Sequence, residues 1–91
     1  MEFEWDENKR QSNLEKHKID FVAASRMLRN TTTIKSVSFY LDELRYLATG
    51  KIDNLYVTVV YTIRGDKCRI ISARIARKKE RINYEQERKS R

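Results

Sequence analysis

The residues best suited to chemistry in this 91-residue chain are cationic and crowd its second half. Arg64 and Arg74 flank a turn, Lys67 and Arg69 lie between them, and Arg77, Lys78, Lys79 and Arg81 follow almost at once. Tyr56 and Tyr84 bracket the group, and Glu80 sits inside it. Guanidinium and ammonium groups at this density hold phosphates, and an aromatic ring among them stacks an unpaired base, the combination used by proteins that bind single-stranded nucleic acid. Residues 1–45 carry eight Lys/Arg and eight Asp/Glu, whereas residues 46–91 carry twelve and five, so the whole net charge of +7 belongs to one half. A neutral half joined to a basic half reads as a scaffold presenting one electropositive surface, for which nucleic acid is the expected partner. The bland alternative is a solvated face whose arginines only maintain solubility.

The remaining reactive residues exclude several classes. A lone cysteine, Cys68, excludes an internal disulfide framework. A lone histidine, His17, excludes the histidine pair that many nucleases use as base and acid. Glu2, Glu4, Asp6 and Glu7 are the nearest thing to a metal cluster, but alternation along a strand divides them between two faces, so neither a metal nor a cofactor is expected. No apolar run approaches membrane-spanning length, and Met-Glu-Phe-Glu-Trp-Asp lacks the basic-then-apolar stretch of a secretory signal. The expected setting is the cytoplasm, with no membrane partner.

The elements that must position the cations follow from periodicity. Phe3 and Trp5 alternate with acids in a short strand. Asp6 is placed to cap a helix over 7–16 whose main apolar anchor is Leu14. Asp20 is placed to cap a second helix, striped by Phe21, Ala24, Met27 and Leu28 and ended by Asn30 and Thr31 to Thr33. Alternation then takes over around Val37 and Phe39 and again over 44–49. Residues 55–64, rich in β-branched and aromatic types, are the strongest strand, and Arg64-Gly65-Asp66-Lys67 turns the chain into a returning strand over 69–75.

The expected fold is α+β, in the order β-α-α-β-β-β-α, with two helices on one face of a small antiparallel sheet and the other face open. A single domain spans 1–85, and 86–91 form a basic tail. On the strongest strand Leu55, Val57, Val59, Tyr61 and Ile63 share the core face, and Tyr56, Thr58, Thr62 and Arg64 the open one. In the returning strand Ile71, Ala73 and Ile75 match the core set. Pairing Val59 with Ala73 requires a three-residue loop or a bulge and sets Arg74 beside Thr58 on the open face.

Several stretches together resemble the BrnT toxin family. They are Phe3-Glu4-Trp5-Asp6, Lys9, Asn13, Lys16-His17, Ile19 and Phe21; Arg45-Tyr46 and Gly50; then Val59-Val60-Tyr61-Thr62, Arg64-Gly65-Asp66, Arg69-Ile70-Ile71-Ser72-Ala73-Arg74, Ala76, Glu80-Arg81 and Tyr84. The resemblance spans about residues 2 to 85 and is most specific in the Arg69–Arg74 block. It departs at Lys18, where the family usually has glycine, and at Val22-Ala23, where acids are common.

The resemblance implies a RelE-like fold and a ribonuclease toxin of a type II toxin–antitoxin pair. Its implied partners are an RNA substrate and a BrnA-like antitoxin, through which alone it meets operon DNA. It further implies metal-independent cleavage that inhibits translation and growth, in which the ribose 2′-hydroxyl attacks its own phosphate. On this reading Arg64, Arg74, Arg77 and Arg81 grip the phosphate, and Tyr84 or Glu80 assists proton transfer. Tyr56, Lys67, Arg69, Lys78 and Lys79 bind RNA, and His17 and Arg45 stand by with structural or functional roles. The rival is a non-catalytic RNA- or DNA-binding regulatory module using the same face; a pure protein-interaction subunit is a third reading.

Overall fold

A computed structural model describes residues 1–30 and 33–89. The elements are β1 (Glu2–Glu4), α1 (Glu7–His17), α2 (Phe21–Asn30), β2 (Ile34–Tyr40), β3 (Glu43–Ile52), β4 (Leu55–Arg64), β5 (Lys67–Ile75) and α3 (Lys78–Lys89). They build one five-stranded sheet in the order β1-β5-β4-β3-β2. The α+β class stands, but the expected element order is one strand short, and the sheet is mixed because β1 runs parallel to β5. The strands marked by alternation around Val37 and Phe39 and over 44–49 are both present as β2 and β3, so the expected order undercounts the strands its own periodicity marks. They are joined where Leu41 and Asp42 both take positive φ, a two-residue turn whose twist suits a hairpin although it lacks the expected asparagine or glycine. Thr31 and Thr32, part of the expected end of the second helix, lie outside the described residues, as do the last two of the expected tail; α3 runs on through Lys89.

Capping fixes both N-terminal helices. The Asp6 carboxylate accepts from the amides of Asn8 and Lys9 at 2.8 and 3.3 Å, and α1 ends on Lys18 in the left-handed region with φ 62°. Asp20 accepts from the Val22 amide at 3.0 Å, and Arg10 of α1 grips the same carboxylate through two hydrogen bonds of 2.8 and 3.0 Å. That guanidinium holds Asp20 below the usual carboxylate range. Phe21, Ala24 and Met27 bury the stripe of α2 against Val57, Val59, Ile70 and Ala73. Full burial of a side chain such as Phe21 is worth about 1.5–3 kcal/mol.

α1 docks differently from its apolar pattern. Leu14 is exposed, and buried Asn13 holds the helix to the sheet. Its amide nitrogen donates to the carbonyls of Ala73 and Ile19 at 2.8 and 3.0 Å, and its oxygen accepts from the Ala73 amide at 3.1 Å.

The β4–β5 register pairs Val59 with Ala73 and Thr58 with Arg74, as apolar matching requires. A shift between Val60 and Tyr61 leaves Ile71 without a place in the register, so Ile70 and Cys68 occupy the core positions expected of Ile71 and its neighbours. The bulge reverses parity along β5, which brings Arg69 opposite Thr62 and lets Arg74 and Arg69 share a face despite their odd separation.

The second face is not open. α3 lies across it, with Tyr84 buried against Tyr56 in an edge-to-face contact, ring centroids 6.0 Å apart. The sequence hides this because α3 is polar around nearly all its circumference, and what docks it is a set of polar contacts to the sheet.

A candidate anion site beneath the last helix

Ala76 and Arg77 join β5 to α3, which keeps Arg74, next to the end of the strand, within reach of Glu80 in the first turn of the helix. The Glu80 carboxylate turns back into this corner. It accepts from Arg74 Nη1 and Nη2 at 2.8 and 3.0 Å, from the Arg77 backbone amide at 2.8 Å and from the Thr58 hydroxyl at 3.0 Å. Since an ionised carboxylate only accepts, Thr58 donates here, and the hydroxyl of Thr49, 2.7 Å away, donates to Thr58. Burial pushes the Glu80 carboxyl up, but the donors from Arg74, Arg77 and Thr58 outweigh it and bring the pKa to about 2. Four donors converging on one carboxylate make an anion-binding corner occupied by the chain's own anion.

Exposed cations surround it. Arg77, Lys78, Lys79 and Arg81 point outward from the start of α3. On the far side of Tyr56 the Lys51 ammonium sits 5.0 Å from the ring centroid, and Arg88 stacks over Tyr84 at 5.7 Å. The Tyr56 hydroxyl donates to Glu85, and this bond raises the phenol's pKa while lowering that of the carboxyl.

The sequence-predicted residues therefore divide. Arg74, Arg77, Glu80, Arg81, Tyr84, Tyr56, Lys78 and Lys79 gather around α3. Arg64 does not join them. It follows Thr58 by six positions in β4, a span of about 20 Å at roughly 3.3 Å per residue, and donates to Glu43 at 3.2 Å. Arg45 also contacts Glu43 and stacks on Tyr40 at 4.4 Å, so it belongs with Arg64 in a second cluster at the hairpin end. Lys67 is exposed opposite Arg64, and Arg69 pairs with Glu4 at 2.8 Å. His17 is half-buried at the end of α1, lining a shallow cleft of about 210 Å³ with Lys9, Lys16 and Ile71 on the other side of the molecule from α3. Tyr61 is buried and stacked on Tyr46.

Strand parity places Thr58 beside Arg74, though not as a donor to Glu80. Lys51, Glu85 and Arg88 escape the reading of the sequence; the missing signal is that α3 folds back over Tyr56. Among the described residues no group of three His, Cys, Asp or Glu side chains is placed to hold a metal ion, and no helix is long and apolar enough to cross a membrane.

A mixed five-stranded sheet with a helix pair on one face and α3, rich in cations, across the other defines an α+β protein. Residues 5–80 match the family described as ribonuclease toxin, BrnT, of type II toxin-antitoxin system, and the chain belongs to that family. No curated protein matches it.

Proposed function

We propose that this ribonuclease toxin is an endoribonuclease of RelE-like architecture, cleaving RNA without a metal in the cytoplasm and thereby arresting translation and growth. Its antitoxin, on this reading, is a BrnA-like protein that carries the only contact with operon DNA. The observation that supports it best is the corner formed by Arg74, Thr58 and the Arg77 amide, whose four donors converge on one anion, the Glu80 carboxylate.

In this reading α3 shifts to admit RNA, and a phosphate replaces the Glu80 carboxylate. The 2′-hydroxyl attacks the phosphorus and loses its proton as the bond to the 5′-oxygen breaks, and that oxygen gains a proton, leaving a cyclic 2′,3′-phosphate and a 5′-hydroxyl. Arg74, Arg77 and Arg81 neutralise the charge that builds on the phosphorane, a role in which one well-placed donor is worth about 3–4 kcal/mol. Glu80, with a carboxyl near 2, is a weak base; it holds Arg74 in place until the phosphate displaces it. Tyr84, uncovered by the movement of α3, is assigned the proton transfer. Tyr56 stacks a base, Lys78 and Lys79 hold flanking phosphates, and Arg64, Lys67, Arg69 and Arg45 extend the track toward the hairpin end.

The test is turnover. Incubated with RNA at substoichiometric amounts, the protein should generate new 5′-hydroxyl ends, and Arg74→Ala with Arg77→Ala should lower kcat by about 10²-fold or more while the circular dichroism spectrum is unchanged. RNA bound with no new ends supports the non-catalytic regulatory module instead.

A further inference from the structure

The opposite side of the sheet carries an apolar surface that neither helix covers. α1 and α2 lie over β5, β4 and the far part of β3, and leave the hairpin end of that face bare. Phe39 is 75% exposed, Val37 58% and Leu41, at the tip, 80%. Register places Val37 beside Tyr46 and Phe39 beside Leu44 on the face that holds Tyr61. The strip runs into a cavity of about 420 Å³ walled by Phe3, Leu28, Tyr46, Tyr61 and Cys68, with Arg29 and Lys35 on its rim. Exposed apolar patches of this contiguity mark interaction sites on soluble proteins.

Two further observations concern the occupant. β2 ends the sheet, so no strand among the described residues pairs with its outer backbone edge, yet Ile34–Tyr40 contains a single charge, Lys35, and no proline to discourage pairing. Leu41 holds φ 50° in a turn position where asparagine or glycine is far less strained, and spends that conformation on displaying an apolar side chain.

We infer that this surface docks the antitoxin, through an extended or helical segment that sets an apolar anchor in the Tyr46–Tyr61 cavity and acidic side chains against Lys35 and Arg29. The inference rests on the reading of the chain as a type II toxin. Local charge favours an acidic partner over a second copy of this chain: the cavity lining holds Arg29 and Lys35 and no acid, so the same lining of a second copy would add like charges, whereas an acidic segment complements them. The antitoxin thus grips the side of the sheet away from the anion corner.

The test is a titration of the cognate antitoxin against the wild-type chain, a Val37→Thr/Phe39→Thr double variant, Lys35→Glu, and an Arg77→Ala/Lys78→Ala variant of the other face. Both threonine substitutions keep strand propensity at exposed positions, and thermal melts check folding. The double variant should bind about 100-fold more weakly and Lys35→Glu about 10-fold, with the Arg77/Lys78 variant within about threefold of wild type. Equal affinity of the patch variants overturns the docking face while leaving the antitoxin reading intact. Absence of binding by the wild-type chain overturns the antitoxin reading, and the docking with it. A wild-type dimer in sedimentation that the Phe39 variant dissociates overturns it in favour of a second copy.

Discussion

Arg74 and Glu80 are joined by two hydrogen bonds across the corner between β5 and α3, and this pair is the clasp that fastens the last helix to the sheet. Its carboxyl is held at about 2 against an ordinary 4.5, so it stabilises the fold fully above about pH 4.5 and progressively less as pH falls toward 2. Glu80→Gln should therefore destabilise the protein by roughly 2 kcal/mol at neutral pH, an amount discounted for the pair's partial exposure. It should also flatten the acid limb of stability between pH 4.5 and 2. Urea denaturation across that range reads both effects; an unaltered acid limb would assign it to other carboxylates.

Arg64, the last residue of β4, and Arg74 of β5, which pairs with Thr58, share a face but lie about 20 Å apart along the strands, and their substitutions should separate kinetically. Arg64→Ala should leave kcat within about threefold and weaken RNA binding modestly, lowering the salt slope by about 1. Arg74→Ala should strike kcat itself. Single-turnover cleavage beside filter binding at several salt concentrations makes the comparison, and equal losses in kcat would bring the two guanidinium groups back to one phosphate.

Asn13, with three hydrogen bonds in a buried site, should be the most sensitive position on α1. Asn13→Ala leaves the Ala73 amide and two carbonyls without partners, and should destabilise by about 2–3 kcal/mol. Leu14→Ala, at the position that apolar pattern alone favours, should change stability by less than about 1 kcal/mol. Chemical denaturation of the two variants reverses the order expected from hydropathy.

Lys18 and Leu41 occupy left-handed conformations with φ 62° and 50°. Lys18→Gly and Leu41→Asn should each stabilise by about 0.5–1 kcal/mol, because the replaced side chains strain the backbone and the new residues do not. Thermal melts suffice, and at Leu41 the gain in stability should accompany weaker antitoxin binding.

Much of this was readable from residue types. Asp6 and Asp20 declare their caps, the apolar alternation of β4 declares its core face, and matching Val59 to Ala73 predicts where Arg74 lands. What resists reading has physical causes. The Val59–Ala73 match calls for a three-residue loop or a bulge, but the place of the bulge, which trades Ile71 for Ile70, is invisible because both are isoleucine. The docking of α1 through Asn13 defeats hydropathy, since a polar side chain does an apolar one's work once its three partners are in place. The coverage by α3 escapes because Tyr84 is the one buried side chain on a helix whose other sheet contacts are charged and hydroxylic, and only tertiary geometry shows that Glu80 folds back onto Thr58 and Arg74.

The parallel pairing of Glu2 with Lys67 and Glu4 with Arg69 has a consequence for biosynthesis. A strand laid down at the outset waits for a neighbour that the ribosome delivers more than sixty residues later, so the sheet closes only when translation of this domain is nearly over. A fold with so long-range a closure is completed late, and whatever depends on the closed sheet waits with it.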